Sequence, residues 1–173
     1  MSWLGAYSAA TPGVDLLDNT TVRLDWDNEP QPDALLRLEP EQAGKSRIDA
    51  DGYVDGPPEL VVEVAASSAS IDRHAKLRVY RRNGVPEYLI WQVLDRRLEW
   101  FTLREGEYVP LPPDERGAIG SRVFPGLRLA VPALRAGDLA ALLAEQQAAL
   151  GTPEHRRFAE SLASRSPREK RQV

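Results

Sequence analysis

The sequence contains no cysteine, which excludes disulfides and thiolate zinc sites. It has only two histidines, His74 and His155, so a histidine-rich metal site is excluded as well. Any metal must therefore be held by carboxylate and carbonyl oxygens, and such ligands favour a hard ion, Mg2+ or Mn2+. No apolar run approaches the length that crosses a bilayer, so no membrane partner is expected. Met1 to Ala10 has no basic residue ahead of a hydrophobic run and does not read as a secretory signal, which gives a cytoplasmic expectation. Nor is there an excess of positive charge. A net charge of −4 argues against coating nucleic acid by bulk charge, while leaving room for a local basic surface.

What is present is ordinary for a soluble globular chain: 173 residues, 42 % of them apolar and 28 % charged. That length suits one compact domain, read here as 1–150, followed by a C-terminal helix and basic tail over 151–173. Thr21 to Asp27 alternates, with Val22, Leu24 and Trp26 on one side, and predicts a strand. Asp33 to Glu39 predicts a second, and Glu41 to Pro58 a loop. Glu59-Leu-Val-Val-Glu-Val-Ala65 is the strongest strand signal. Its Leu60, Val62 and Val64 face one way, and Glu59, Val61, Glu63 and Ala65 the other.

Ser67, Ser68 and Ser70 are good N-caps for a helix running to about Asn83, with Gly84 as its stop. Glu87 to Leu94 reads as a buried strand and Leu98 to Leu103 as an alternating one. Glu105-Gly106 marks a hairpin turn into Tyr108-Val109, and Pro110 to Gly120 a loop. Gly126 to Val131 is a last short strand. Gly137 to Leu150 is a leucine- and alanine-rich helix, a second helix starts near Pro153, and Arg165 to Val173 is a basic, disordered tail.

One position breaks the hydrophobic logic. A buried strand normally keeps carboxylates out, because an unpaired charge in a low-dielectric interior is costly, yet Glu63 lies at the heart of its strand. A solvent-exposed face would explain it equally well. Asp33 changes the balance: it follows Pro32, which marks entry to a strand, and two carboxylates near the ends of adjacent strands make a ready cation site. On the helix, at about 100° per residue, Ala75, Lys76, Val79 and Tyr80 share one arc with Asp72 and Asn83 between them. Arg73, His74, Arg78 and Arg81 share the opposite arc, which reads as a solvated face or a phosphate-contacting one. Lys76 either snorkels outward or points at the carboxylates.

Several strings now act together: Gln31-Pro32-Asp33, Pro58-Glu59-Leu-Val-Val-Glu63-Val64, Ser67-Ser68, Asp72 with Lys76 and Tyr80, and Asn83-Gly84-Val85-Pro86-Glu87-Tyr88. In order and spacing they resemble the Uma-type family of putative restriction endonucleases, within the PD-(D/E)xK nuclease superfamily. The likeness covers roughly Thr21 to Val131. It implies an α/β, restriction-endonuclease-like fold, a mixed central sheet with flanking helices, and a Mg2+- or Mn2+-dependent DNA endonuclease. It assigns Asp33 and Glu63 as metal ligands with the Val64 carbonyl, and Lys76 as the lysine that helps activate water and stabilises charge at the phosphate.

The chain departs from the pattern twice. The superfamily places its lysine two residues after the acid, where this chain has Ala65; Lys76 comes from the next helix, thirteen residues beyond Glu63 (76 − 63). The family's N-terminal helical segment also reads as missing, which would leave Trp3, Leu4 and Tyr7 as an exposed apolar edge suited to a homodimer. These departures support an alternative, an inactive nuclease-like module that binds DNA or protein. A carboxylate-pair hydrolase acting on glycosides would want aromatic platforms, but Trp26, Trp91 and Trp100 lie in expected strands and read as core.

Overall fold

The computed structural model describes residues 2–66 and 71–165, with side chains of the 71–82 helix described from residue 75 onward. The chain opens with helix α1 (Ser2–Ala9) and strand β1 (Val14–Asp18), then the two-residue β2 (Val22–Arg23) and β3 (Ala34–Leu38). Two further short strands, β4 (Arg47–Ile48) and β5 (Val54–Asp55), precede β6 (Leu60–Ala65) and helix α2 (Ile71–Arg82). Next come β7 (Glu87–Gln92), β8 (Arg97–Arg104), β9 (Glu107–Pro110), β10 (Ala118–Gly120) and β11 (Arg128–Ala130). Helices α3 (Val131–Ala136), α4 (Leu139–Leu150) and α5 (Pro153–Ala163) follow.

The central sheet has six strands in the order β1-β3-β6-β7-β8-β9. It is mixed: β6 and β7 run parallel, and every other neighbouring pair is antiparallel. The parallel pair needs a crossover, and α2 supplies it. Gly84, at φ +74°, lets the chain leave α2 in the left-handed conformation that a side chain resists. Val85 then donates its N–H to Tyr80 O, turning the chain directly into β7. At the β8–β9 hairpin, Glu105 and Gly106 both have positive φ, 50° and 82°, as a tight hairpin turn requires.

Alternation divides the sheet into two faces. Ala34, Leu36, Leu60, Val62, Leu89 and Trp100 point toward α1, α4 and the β10–β11 hairpin, and they form the main core. Val61, Tyr88 and Ile90 point the other way and pack with Tyr80 of α2. A three-stranded accessory sheet, β2-β5-β4, covers Leu35 with Val22 and Val54.

Four expectations are corrected. An N-terminal helix is present: α1 lays Trp3, Leu4 and Tyr7 into the main core, so they form no exposed edge, and the argument for a homodimer loses its basis. Trp3 meets Trp100 edge to face at 5.9 Å, and its indole N–H donates to Arg128 O and Gln146 Oε1. The strand expected over Thr21 to Asp27 stops at Arg23, because Asp25 to Asn28 closes a turn that leaves Trp26 fully exposed. The Glu41 to Pro58 loop contains β4 and β5, and the Pro110 to Gly120 loop contains β10. The expected capping serines Ser67, Ser68 and Ser70, and tail residues 166–173, lie outside the described residues.

Candidate active site

Glu63 is the fourth of the six residues of β6, on the face that carries Val61. The β3–β6 register pairs Ala34 with Val62, and continuing it by one residue sets Asp33 across from Glu63. The Asp33 carboxylate is fixed at the strand end by the Val64 N–H, which donates to its Oδ2 at 2.7 Å. That N–H, rather than the Val64 carbonyl, is the group of Val64 that meets Asp33.

From the other side α2 delivers two donors, one turn apart. Lys76 Nζ is 2.9 Å from Glu63 Oε2, and Tyr80 OH donates to Glu63 Oε1, also at 2.9 Å. Lys76 therefore faces the sheet, as its helical arc predicts, and its side chain is 29 % exposed against 10 % for that of Glu63. Burial pushes the Glu63 carboxyl above its ordinary pKa; Lys76 and Tyr80 pull it back, and the negative charge of Asp33 adds to the rise. The Tyr80 hydroxyl is raised for the matching reason, burial first and then the adjacent carboxylate. Two acidic groups, one cation and one phenol thus converge from the start of β3, from β6 and from α2.

Tyr80 was missing from the expected set of site residues. Its signal was available, since Tyr80 lies four residues after Lys76 and on the same arc, but helix phase alone does not reveal which carboxylate a phenol meets. On the opposite helix face Arg78 is exposed, whereas Arg81 pairs with Glu107 and Arg82 with Asp25. The supposed phosphate-contacting arc is thus partly engaged within the protein, and the side chains of Arg73 and His74 lie outside the described residues.

The strongly buried carboxyls elsewhere have structural work. Glu59 accepts N–H bonds from Leu38 and Lys45. Glu87 accepts from Trp100, Ser121, Arg122 and Val123, pinning the turn before β11 to the sheet. His155 is buried between Thr11 and Leu150 O. Among the described residues, no group of three or more acidic or histidine side chains is placed to hold a metal. Asp33 and Glu63 supply two hard oxygen donors, and Mg2+ is commonly held by one or two carboxylates with the remaining positions left to water and substrate phosphate. The donor set fits such an ion.

A family model described as "Uma2: Putative restriction endonuclease" matches residues 1–132. No curated protein matches the sequence. Among solved structures, a putative nuclease belonging to DUF820 from Anabaena variabilis superposes with a TM-score of 0.58 at 12 % identity, over 80 % of this chain and 76 % of that one. The shared architecture is the restriction-endonuclease-like one, with a mixed central sheet and flanking helices, and no helix among the described residues is long and apolar enough to cross a membrane. On the strength of a match over most of its length, the chain belongs to the Uma2 family and is nuclease-like in family and fold.

Proposed function

We propose that the protein is a divalent-metal-dependent DNA endonuclease that hydrolyses phosphodiester bonds at Asp33, Glu63 and Lys76. The observation that carries this reading is the convergence on Glu63 of Lys76 from α2 and Asp33 from the residue just before β3. Family membership supports the reaction class.

Asp33 and Glu63 would hold Mg2+ or Mn2+, with the Val64 carbonyl as a further oxygen. When bound, such an ion supplies a Lewis acid that acidifies water and offsets charge on phosphoryl oxygens. The protein's own residues supply position. The Val64 N–H fixes the Asp33 carboxylate, and the Tyr80 hydroxyl fixes one Glu63 oxygen. Lys76 holds a positive charge at the same carboxylate, poised where negative charge develops on a phosphate undergoing in-line attack by water. Because Lys76 comes from the crossover helix, Ala65 need not carry the lysine.

A second reading, a nuclease-like module that binds DNA or protein without cutting, draws support from Ala65 and from there being only two convergent carboxylates among the described residues. Incubation with linear, supercoiled and branched DNA in Mg2+ or Mn2+ separates the two. Cleavage of any form, dependent on the metal, is expected. Salt-sensitive DNA binding with no cleavage of any form would replace the enzyme with the binding module.

A further inference from the structure

At the end of β7, on the α2 face, lies a buried polar side chain that no structural role fully absorbs. Gln92 is 0 % exposed. Its Nε2 donates to Glu99 Oε2 at 2.9 Å, and Glu99 is held in turn by Arg97. The Gln92 carbonyl oxygen, Oε1, is buried with no hydrogen-bond partner among the described residues. Exchanging the two ends of the amide does not relieve this, because Oε1 would then face the Glu99 carboxylate, acceptor against acceptor.

The strand register shows where that oxygen lies. β6 and β7 pair Glu63 with Ile90 and Ala65 with Gln92, so Gln92 stands on the same face as Glu63, two residues further along the neighbouring strand. At a rise of about 3.3 Å per residue and a strand spacing of about 4.8 Å, their Cα atoms are about 8 Å apart. That is within reach of a glutamate and a glutamine sharing one ion. The Gln92 amide N–H is committed to Glu99 on β8, and the register partner of Gln92 on β6 is Ala65, which has no polar side-chain atom to meet the carbonyl.

We propose that Gln92 is an additional side-chain oxygen donor of the cation site, joining Asp33, Glu63 and the Val64 carbonyl, with Glu99 as the residue that holds its amide in place. This rests on the reading of Asp33 and Glu63 as metal ligands. An amide carbonyl is a hard, neutral donor of the kind that Mg2+ and Mn2+ accept, and it adds a ligand without adding negative charge to a site that already has two carboxylates. The Gln92–Glu99 hydrogen bond alone would be served by any donor at position 92. It gives no reason for a buried acceptor, unsatisfied among the described residues, on the same face as Glu63 one strand over.

The test is Mn2+ titration by calorimetry of the full chain, its Asp33→Ala variant, and a double variant, Gln92→Glu with Glu99→Gln. The double exchange keeps one donor and one acceptor between the two positions but presents a carboxylate toward Glu63. The expected result is Asp33-dependent Mn2+ binding in the natural protein and about tenfold tighter binding in the double variant, since ligand charge sets affinity at such sites. Natural binding with unchanged or weaker binding in the double variant overturns the role of Gln92 and leaves the Asp33–Glu63 site standing. No Asp33-dependent heat in the natural protein overturns both. Should the double variant fail to fold, Gln92→Met removes the oxygen at similar volume: a loss of at least about threefold in Mn2+ affinity is expected, and an unchanged affinity overturns the role.

Discussion

Glu63 is a carboxylate placed in a strand that is otherwise apolar, and its surroundings reconcile it with burial. Lys76 balances its charge and Tyr80 satisfies an oxygen. Tyr80→Phe leaves a buried Glu63 oxygen without its hydrogen bond, and a loss of about 1–3 kcal/mol in urea unfolding is expected. Lys76→Met separates charge stabilisation from ion holding: DNA cleavage should fall by about 100–1000-fold, as when a preorganised partner of developing charge is removed. Mn2+ binding measured by calorimetry should persist in that variant, and its loss would mean that Lys76 holds the carboxylates rather than serving the phosphate. Glu63 was legible in the sequence because an acid stands out inside Leu-Val-Val-Glu-Val-Ala, and Lys76 because it shares an arc with Tyr80 and Val79. Gln92 was not, since a glutamine ending a strand looks unremarkable until its carbonyl is seen buried without a partner among the described residues.

At the level of elements, α1 and Glu87 show how the site's platform is held. α1 is a short helix whose burial comes from tertiary packing more than from its own propensity. Trp3→Ala should cost about 3–5 kcal/mol by loss of buried contacts and of two indole hydrogen bonds, read by chemical denaturation. Glu87 fastens the 121–124 turn to β7, and its pKa is raised, chiefly by burial and against the pull of the bonds from Arg122, Ser121 and Trp100. A carboxyl whose folded pKa lies above its unfolded value contributes stability that is full below the unfolded value, near 4.5, and lost as pH rises through the folded one. Melting temperature should therefore fall as pH rises from about 4.5 through that window, and Glu87→Gln should flatten this part of the profile. A natural profile that rises across the window would contradict the assignment.

The long elements β6, β7, β8, α4 and α5 were legible because their periodicity spans enough residues to be unambiguous. The short ones were not. β1 has no clean alternation, and its Arg37-bound Asp15 shows why: an acidic residue faces a buried arginine across the β1–β3 pair. β2, β4 and β5 are two residues each and exist only by pairing with one another. α1 presents Trp3, Leu4 and Tyr7 on a face that only the assembled core explains.

For the whole molecule, topology rather than composition assembles the site. The antiparallel β3–β6 register brings Asp33 to Glu63, and the parallel β6–β7 step requires the crossover helix that carries Lys76 and Tyr80. Residues at 33, 63, 76 and 80 meet because the strand order is β3-β6-β7 with α2 between the last two. The net charge of −4 gives no bulk attraction to DNA, so binding must be carried by a local cationic surface, and phosphate contacts of that kind should make DNA affinity drop as salt rises from about 50 to 200 mM. The most direct measurement is the Mn2+-dependent cleavage rate of supercoiled plasmid by the natural protein beside its Glu63→Ala variant, with both confirmed folded. Metal-dependent cleavage that falls by at least about a hundredfold in the variant is expected. Cleavage that survives Glu63→Ala, or no cleavage by the natural protein, would contradict an active site built on Asp33, Glu63 and Lys76.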